Sequence, residues 1–316
     1  MRIAPTQLVE FPLPIAHAMS QSAWNFTVDD TSPMFVYQPY GDGNLTGGWA
    51  TWYSGSGFNT AGGEASVGDS YHLTGFDGAS IAFRFYGSAI YVYGTSNSTF
   101  DVTLDNTVTN GTASDGLLYS NTALPFGDHN VTITAHPSDG QLLMLDRAVV
   151  TAGPTPVQSL EFYNTNSSIK YSGGWSIATD PRNQIPSTAN PGPYHKTTTL
   201  GDTASLQFTG GSAVAVYGAI NWGNWIYGVG VDNSMTQLNG STWWLVPNAL
   251  LFFQAGLDPN TSHTISITNT ATGNMPLYLN SVIVYGQSPS ANGPSTHNPP
   301  GNSPSVGGIP VSGISE

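Results

Sequence analysis

The sequence contains no cysteine, and this absence removes several kinds of chemistry at once. A chain without thiols has no disulfide bonds, no cysteine-ligated zinc or iron–sulfur cluster, and no thiol nucleophile. Small secreted domains usually depend on disulfides. A chain of 316 residues is long enough for two domains with full apolar cores, which do not need them.

Charge is also scarce, at 8 % of residues compared with about 25 % in a typical soluble domain. Only six residues are Lys or Arg, and the net charge is −13. Nucleic acids and anionic membrane surfaces require a basic protein surface, so both are excluded as partners. The 68 Ser and Thr residues indicate a surface made polar by hydroxyls and amides, which is common outside cells.

The N-terminal 23 residues are interpreted as a leader. Ala16-His17-Ala18 matches a signal-peptide cleavage site, but Glu10 and two prolines interrupt the apolar segment before it, so a signal peptide stays an open alternative. No run of 18 apolar residues occurs, so the sequence predicts no membrane-spanning helix.

Eight Asn-x-Ser/Thr sequons give mild support to an extracellular glycoprotein, because about five would arise by chance in a chain so rich in Asn, Ser and Thr. They begin at Asn25, Asn44, Asn97, Asn110, Asn130, Asn166, Asn239 and Asn260.

Most of the chain consists of two copies of one sequence unit. Ser88–Gly94, with the sequence SAIYVYG, reappears as SAVAVYG at 212–218. Five further segments match in the same order. They are Gly47-Gly48-Trp49 with Gly173-Gly174-Trp175, Tyr71-His72 with Tyr194-His195, 102–106 with 229–233, 129–134 with 263–268, and 142–150 with 276–284. Because the order is preserved and the spacing changes only between the matches, the repeat indicates a duplication.

The matched segments alternate apolar and polar residues with a period of two, as half-buried antiparallel strands do. Val131 and Ile133 alternate with threonines, and no window contains a helical stripe. Many short strands separated by Gly, Asn and Pro turns predict an all-β protein of two tandem β-sandwich domains of the jelly-roll, galactose-binding-like class. We place the first domain at 24–151 and the second at 157–286, with a hinge at Gly153-Pro154-Thr155-Pro156.

The unit at 28–37 (VDDTSPMFVY), followed by 71–94, 127–134 and 142–150, resembles a family of surface proteins from mushroom-forming fungi. The resemblance implies tandem galactose-binding-like ectodomains, a Ser/Pro-rich stalk, a membrane anchor in a longer gene product, and carbohydrate binding. The second copy departs from this pattern, because it has Asn164-Thr165-Asn166-Ser167 in place of the acidic segment.

The residues expected to bind a glycan are aromatic side chains present in only one copy, because a duplicated unit keeps the residues that its fold requires. Flat aromatic rings stack on the C–H faces of sugars, while neighbouring amides bind the hydroxyls. The candidates are Trp222, Trp225, Trp243 and Trp244 with Asn221 and Asn224 in the second unit, and Trp52 and Tyr53 in the first. Trp49 and Trp175 occur in both copies and are predicted to be core residues.

Motifs for nucleophilic or phosphate chemistry are absent from the sequence. Asp29, Asp30 and Asp42 are candidate ligands for a structural calcium ion, which would be the only cofactor. The histidines shared by both copies are interpreted as fold residues. Glu64 and Glu161 are the two glutamates inside the predicted domains, and glycoside hydrolysis would need a pair of carboxyl groups in one cleft.

We therefore expect a non-catalytic glycan-binding or adhesion ectodomain at a fungal cell surface or wall. Two alternatives stay open: a carbohydrate-active enzyme, such as a glycoside hydrolase on a β-sandwich, and a structural surface protein without a sugar site.

The last 30 residues predict a disordered stalk at 287–316, because 18 of them are Ser, Pro or Gly and cannot bury enough apolar area. Limited proteolysis followed by mass spectrometry is expected to remove this segment and leave a resistant core of about 260 residues. A tail that survives protease concentrations sufficient to cut an unfolded control protein would contradict the prediction.

Overall fold

The computed structural model describes residues 23–286 except 60, 154–156, 182–183, 188–189 and 233. The predicted stalk, and all of the predicted leader except its last residue, lie outside the described residues, as does most of the predicted hinge. The described part of the chain contains antiparallel β-sheets and no α-helix, so the all-β prediction is confirmed. No helix in it is long and apolar enough to cross a membrane.

The N-terminal half forms two facing sheets. The first, in spatial order, contains β11 (Leu117–Asn121), β8 (Ala89–Ser96), β13 (Leu143–Gly153), β6 (Ser70–Thr74), β3 (Ala50–Tyr53) and β4 (Gly57–Phe58), and β1 (Trp24–Asp29) also pairs with β13. The second contains β10 (Thr107–Gly111), β9 (Thr99–Leu104), β12 (Gly127–His136), β7 (Ser80–Gly87) and β2 (Phe35–Gln38).

The C-terminal half repeats these strand orders. One sheet contains β14 (Ser159–Tyr163), β25 (Ser281–Tyr285), β19 (Ala213–Ile220) and β22 (Trp244–Ala255), and β5 (Glu64–Ala65) adds to its edge. The second contains β15 (Ile169–Ser172), β18 (Thr203–Thr209), β23 (Ser262–Asn269), β20 (Ile226–Val231) and β21 (Thr236–Asn239). A small third sheet contains β16 (Ser176–Ala178), β17 (Tyr194–Thr197) and β24 (Leu277–Leu279).

The two copies of the repeated heptapeptide occupy equivalent strands, which confirms this part of the duplication hypothesis. Strand β8 lies between β11 and β13, and β19 lies between β22 and β25. The predicted burial is also confirmed, because Val131 and Ile133 are each 3 % exposed and Val214 and Val216 are fully buried. Of the matched tryptophans, Trp49 is fully buried and Trp175 is half-buried against the core of the second half.

The glycine that ends each heptapeptide is required by a close approach of the neighbouring chain. A Cβ atom on Gly94 would lie 2.0 Å from the carbonyl oxygen of Met144, and one on Gly218 would lie 2.1 Å from that of Tyr278. Since any side chain would collide with backbone at both sites, only glycine fits.

The matched histidines His129 and His263 fasten a turn to the sheet in each half. His129 Nδ1 lies 2.9 Å from Asp105 Oδ2, and the other oxygen of Asp105 accepts the backbone N–H of Asn130. His263 and Asp232 repeat this arrangement with the same His–Asp distance of 2.9 Å. The prediction that these histidines serve the fold is therefore confirmed.

The sheet that contains β19 and β22 is buried on both faces. Ala213 and Ala215 belong to the core of the N-terminal half, while Val214 and Val216 face the core of the second half. This explains the continuous apolar run in the second heptapeptide, because a strand covered on both faces has no polar side.

One apolar core therefore spans the two halves. Phe26 of β1 stacks on Phe253 of β22 with ring centroids 3.6 Å apart. The ring centroids of Trp24 and Tyr285 lie 5.1 Å apart. The Ser32 hydroxyl also donates to the carbonyl of Leu250 across the junction. The number of independently folding domains stays a prediction, and this shared core couples the halves energetically.

We expect the wild-type protein to unfold in a single calorimetric transition, and Phe253→Ala to lower its free energy of unfolding by about 3–5 kcal/mol. Phe126→Ala, which removes a ring that is 48 % exposed, is the matched control and is expected to have little effect. Two separate wild-type transitions, or equal losses in both variants, would contradict the coupling.

Candidate functional site

A cleft of about 560 Å³ opens between the two halves. One wall is β2 and the turn that follows it through Asp42, and the opposite wall is formed by β20, β21 and the segment that leads into β22. Thr51 of β3 and His72 of β6 contribute to the floor. The cleft exists because the shared core holds the two sheets side by side.

Four side chains in the floor form a continuous hydrogen-bonded chain. His72 Nδ1 lies 2.6 Å from Asp30 Oδ2, and His72 Nε2 lies 2.9 Å from the Thr51 hydroxyl. Thr51 Oγ1 is 2.8 Å from Asp42 Oδ1 at the cleft surface. Ser70 donates to the other oxygen of Asp30 at 2.5 Å. The chain therefore connects a fully buried carboxyl group to a half-exposed one.

Burial determines where the protons in this chain reside. Burial, with a smaller contribution from Asp29, raises the pKa of Asp30 well above its usual value, and burial lowers the pKa of His72 to about 4. A protonated Asp30 donates to Nδ1 of a neutral His72, whose Nε2–H then donates to Thr51. The Thr51 hydroxyl hydrogen is left to point at Asp42, so the chain ends on an acceptor facing the cleft.

The second half keeps the stacked tyrosine and histidine of this arrangement but replaces the buried carboxyl group with an amide. Tyr37 stacks on His72 with ring centroids 4.1 Å apart, and Tyr171 stacks on His195 at the same distance. Asn164 takes the place of Asp30 and bonds His195 Nδ1 at 2.8 Å.

The hydroxyl group that is hydrogen-bonded to the histidine is also specific to the first half. Thr51 pairs with His72 across β3 and β6, while Ile177 pairs with His195 at the equivalent position in β16 and β17. The fold requires the tyrosine–histidine stack, and the carboxylates and the hydroxyl are specific to the cleft.

Trp243 on the opposite wall is held through its backbone by the N-terminal half. Its N–H donates to Asp42 Oδ2 at 3.3 Å, and its carbonyl accepts from Asn59 Nδ2 at 2.8 Å and from Gly63 N at 2.6 Å. Strand β5 then pairs in parallel with Trp244 and Leu245. Because these contacts use backbone atoms of Trp243, its position does not depend on packing of its own indole.

The loop at 221–225 lies beside the segment that leads into β22. Asn221 forms a parallel bridge with Ser241, and the rings of Trp222 and Trp243 lie edge to face at 6.4 Å. Trp222 is 59 % exposed and Trp225 is 45 % exposed, while Trp243 is half-buried in the cleft wall. Trp222 and Trp243 therefore meet at the edge of the cleft, and Trp225 is a separate exposed ring of the same loop.

Other predicted ligand-binding residues are in the interior, and the prediction is wrong for them. Trp244 is 1 % exposed and packs on Tyr53, with ring centroids 4.5 Å apart. Asn221 and Asn224 are each 5 % exposed, and they order the loop: Asn221 Oδ1 accepts from Gly223 N, and Asn224 Nδ2 donates to the carbonyl of Ala219. A fully packed ring or amide has no face available to a sugar.

Trp52 packs on a tyrosine of the N-terminal half and not on the other candidate tryptophans. It is half-buried and stacks on Tyr71 of β6, with ring centroids 5.7 Å apart, and it does not line the cleft. The structure therefore separates Trp52 from the other candidate tryptophans.

The three candidate calcium ligands have other partners. Asp30 is fully buried against His72 and Ser70, and Asp29 accepts the backbone N–H and the hydroxyl of Thr31. Asp42 bonds Thr51 and Trp243. Within the described residues, no group of three or more His, Asp or Glu side chains is placed to hold a metal ion. The arrangement therefore does not fit a calcium site.

Sequence reasoning missed Thr51 and Tyr40 and assigned His72 to the fold alone. Tyr40 is 39 % exposed in the cleft wall. A signal for the polar floor was present in the copies themselves, since aligned positions carry Asp30 against Asn164 and Thr51 against Ile177. Comparing the two copies for lost charge, and not only for added aromatics, would have revealed it.

The variant Asp30→Asn copies the arrangement of the second half, so we expect it to fold. A carboxyl group whose pKa is raised on folding contributes stability below its unfolded pKa and loses it as pH rises through the folded pKa. The variant is therefore expected to gain stability relative to wild type as pH rises from 4 to 7. Thermal unfolding of both proteins across this range measures the difference. A difference that does not change with pH would contradict a protonated Asp30, and Asn164→Asp is the matched variant expected to lose stability in the same range.

Comparisons with known proteins return structures of low similarity. No protein-family model and no curated protein matches the chain. A family two carbohydrate esterase from Cellvibrio japonicus is 18 % identical over 43 % of this chain and 36 % of its own, with a TM-score of 0.30. The tandem CBM22-1-CBM22-2 domains of Paenibacillus barcinonensis Xyn10C are 6 % identical over 84 % and 99 %, with a TM-score of 0.25.

A truncated AlyQ with CBM32 and alginate lyase domains is 10 % identical over 84 % and 92 %, again with a TM-score of 0.25. This chain spans less than two fifths of the length of the esterases that it matches. The structural neighbours thus include proteins with carbohydrate-binding modules and carbohydrate-active enzymes.

Proposed function

We propose that the protein binds glycan chains in the cleft as a non-catalytic module. The observation that carries the proposal is the backbone clamp on Trp243, which holds in place the residue whose indole lies in the wall of the cleft. A backbone that is already held in place loses little conformational entropy when a sugar stacks on its side chain. Trp222 lies edge to face with Trp243 and extends the aromatic surface beyond the cleft, so a chain longer than one sugar would contact both rings.

The rest of the lining suits sugar hydroxyls. Amides and hydroxyls share the lining with apolar side chains, and Asp42 provides a charged acceptor. The uncharged polar residues of the lining include Gln38, Gln237, Asn239, Ser241 and Thr242. Stacking on a single ring contributes roughly 1 kcal/mol, so each site is weak and binding to a polymer would depend on avidity.

We place this activity outside the cell, at a fungal surface or wall. The sequence resemblance and the low charge support this location. The sequons add support, because seven of the eight asparagines are exposed and Asn166 is half-exposed. The protein would then be a glycoprotein that holds a wall polysaccharide.

A second candidate function is ester hydrolysis, which the geometry of Thr51, His72 and Asp30 favours. A hydroxyl, an imidazole and a carboxyl group at 2.9 and 2.6 Å match the spacing of a nucleophile and its base. Asp42 argues against it, since a carboxylate 2.8 Å from the attacking oxygen repels the oxyanion that would form. Thr51 is also only 5 % exposed. Binding is therefore the function that the cleft supports best.

Glycoside hydrolysis has less support. Glu64 and Glu161 are both exposed, on β5 and β14, and neither lines the cleft. Asp30 is fully buried and hydrogen-bonded, which leaves Asp42 as the one accessible carboxylate among the described lining residues.

Titration of β-glucan, mannan and chitin oligosaccharides into the variant Trp243→Ala tests the proposal. The variant removes the ring but keeps the backbone clamp, so we expect an unchanged fold and about fivefold weaker binding. Phe126→Ala removes an exposed ring outside the cleft and is expected to bind like wild type. Because Asn239 begins a sequon and lines the cleft, the protein is prepared without N-glycans. Equal affinity of Trp243→Ala and wild type for every oligosaccharide that binds would contradict the site.

The hydrolytic alternative is measured in the same preparations. Release of acetate from acetylated oligosaccharides by wild type but not by Thr51→Val would establish ester hydrolysis and overturn the assignment as a non-catalytic module.

A further inference from the structure

The cleft carries negative charge without a compensating cation. The charge belongs to Asp42, because Asp30 is buried and holds the proton that it donates to His72. His72 is the one basic side chain among the described lining residues. Burial keeps His72 neutral at ordinary pH. A ligand in the cleft therefore meets an electrostatic field that no basic side chain in the described lining offsets.

The described basic residues are engaged elsewhere. Arg84 pairs with Asp128, Arg147 pairs with Asp146, Lys170 donates to a backbone carbonyl, and Lys196 lies over the ring of Tyr278. Arg2 and Arg182 lie outside the described residues. None of the four described cations lines the cleft.

Asp42 is the accessible end of the negative charge. It is half-exposed, and each of its oxygens already accepts one hydrogen bond, from Thr51 and from the backbone of Trp243. A carboxylate oxygen can accept two hydrogen bonds, so both oxygens keep capacity for a ligand donor. The chain of hydrogen bonds from Asp30 through His72 ends at the Thr51 hydroxyl, which donates to Asp42 Oδ1.

The aromatic groups beside Asp42 also favour a cation. Asp42 accepts the backbone N–H of Trp243, the residue that carries the indole. Tyr40 lies on the wall opposite Trp243. The faces of tryptophan and tyrosine rings attract ammonium groups, and a carboxylate next to such a face strengthens the attraction.

Resting on the proposed glycan binding, we propose that the cleft selects glycans with free amino groups, such as de-N-acetylated chitin segments, over neutral and acidic ones. A primary ammonium has three N–H donors and a positive charge, so it satisfies Asp42 in both respects. An N-acetyl group offers one neutral donor. A uronate brings a second negative charge next to Asp42 and is repelled.

The experiment compares three oligosaccharides of equal length: glucosamine, N-acetylglucosamine and galacturonic acid oligomers, titrated at pH 6 and low salt into protein without N-glycans. We expect the glucosamine oligomer to bind about tenfold more tightly than the N-acetyl form, and the galacturonate to bind least. Added salt should weaken glucosamine binding and leave N-acetylglucosamine binding unchanged, because only the first involves a charge pair.

The variant Asp42→Asn is expected to lose the preference for glucosamine, so that the ratio of its affinities for the amino and N-acetyl oligomers falls to about one. The readout is this ratio, because Asp42 also accepts hydrogen bonds from Thr51 and from the backbone of Trp243. Asp115→Asn is the matched control, because it removes one negative charge from an exposed turn at a positive φ of 52°, where asparagine is well tolerated. The control is expected to keep the full preference.

The outcomes separate this inference from the proposed function. Equal binding of amino and N-acetyl oligomers, lost in Trp243→Ala but unaffected by Asp42→Asn, would overturn the selectivity and leave glycan binding intact. Glucosamine binding that falls equally in Asp42→Asn and Asp115→Asn would show attraction to net charge alone, and would also overturn it. Failure of every oligosaccharide to bind would remove the proposed function itself.

Discussion

The stacking of Phe26 on Phe253 and the apolar core around it are the contacts on which the rest of the molecule depends. They bury both faces of the sheet that contains β19 and β22, so the second copy uses one face for its own core and the other for its neighbour. The cleft, the clamp on Trp243 and the pairing of β5 with β22 all exist because this core holds one copy against the other. Apolar burial is non-directional, so the backbone hydrogen bonds at Asn59, Gly63 and Asp42 complete the alignment.

Duplication supplied two equivalent frames, and the differences between them give the cleft its chemistry. Each copy keeps a tyrosine stacked on a histidine and a histidine fastened to a turn aspartate. The first copy places Asp30 and Thr51 on its histidine, while the second places Asn164 and Ile177 there. The second copy in turn provides the tryptophans at the end of the cleft. The site is therefore composite, and neither copy alone contains it.

The low charge of the chain has a direct effect at this site. With few cations available, those described are held at other surfaces, and the accessible carboxylate Asp42 accepts hydrogen bonds from Thr51 and from the backbone of Trp243. No cation in the described lining pairs with it, so its charge is available to a ligand.

The sequence by itself determined the strands, the duplication and much of the core. Period-two alternation places Val131 and Ile133 inside whichever sheet they join, and the repeated glycine of the heptapeptides marks a backbone approach in both copies. Alternation also requires the adjacent Trp243 and Trp244 to face opposite sides of an extended strand, without showing which of the two is buried. It could not identify Asn221 and Asn224 as loop-ordering residues, because an amide beside a tryptophan has the same sequence signal whether it bonds a ligand or its own backbone.

Only the tertiary structure decided which residues meet in the cleft. Asp30, Asp42, Thr51 and His72 come from four separate segments, and Trp243 comes from the other copy about 200 residues away. Local sequence patterns report which face of a strand is apolar, but they carry no information about which strands become neighbours. That depends on the packing of one whole sheet against another, which the apolar residues of both copies determine together.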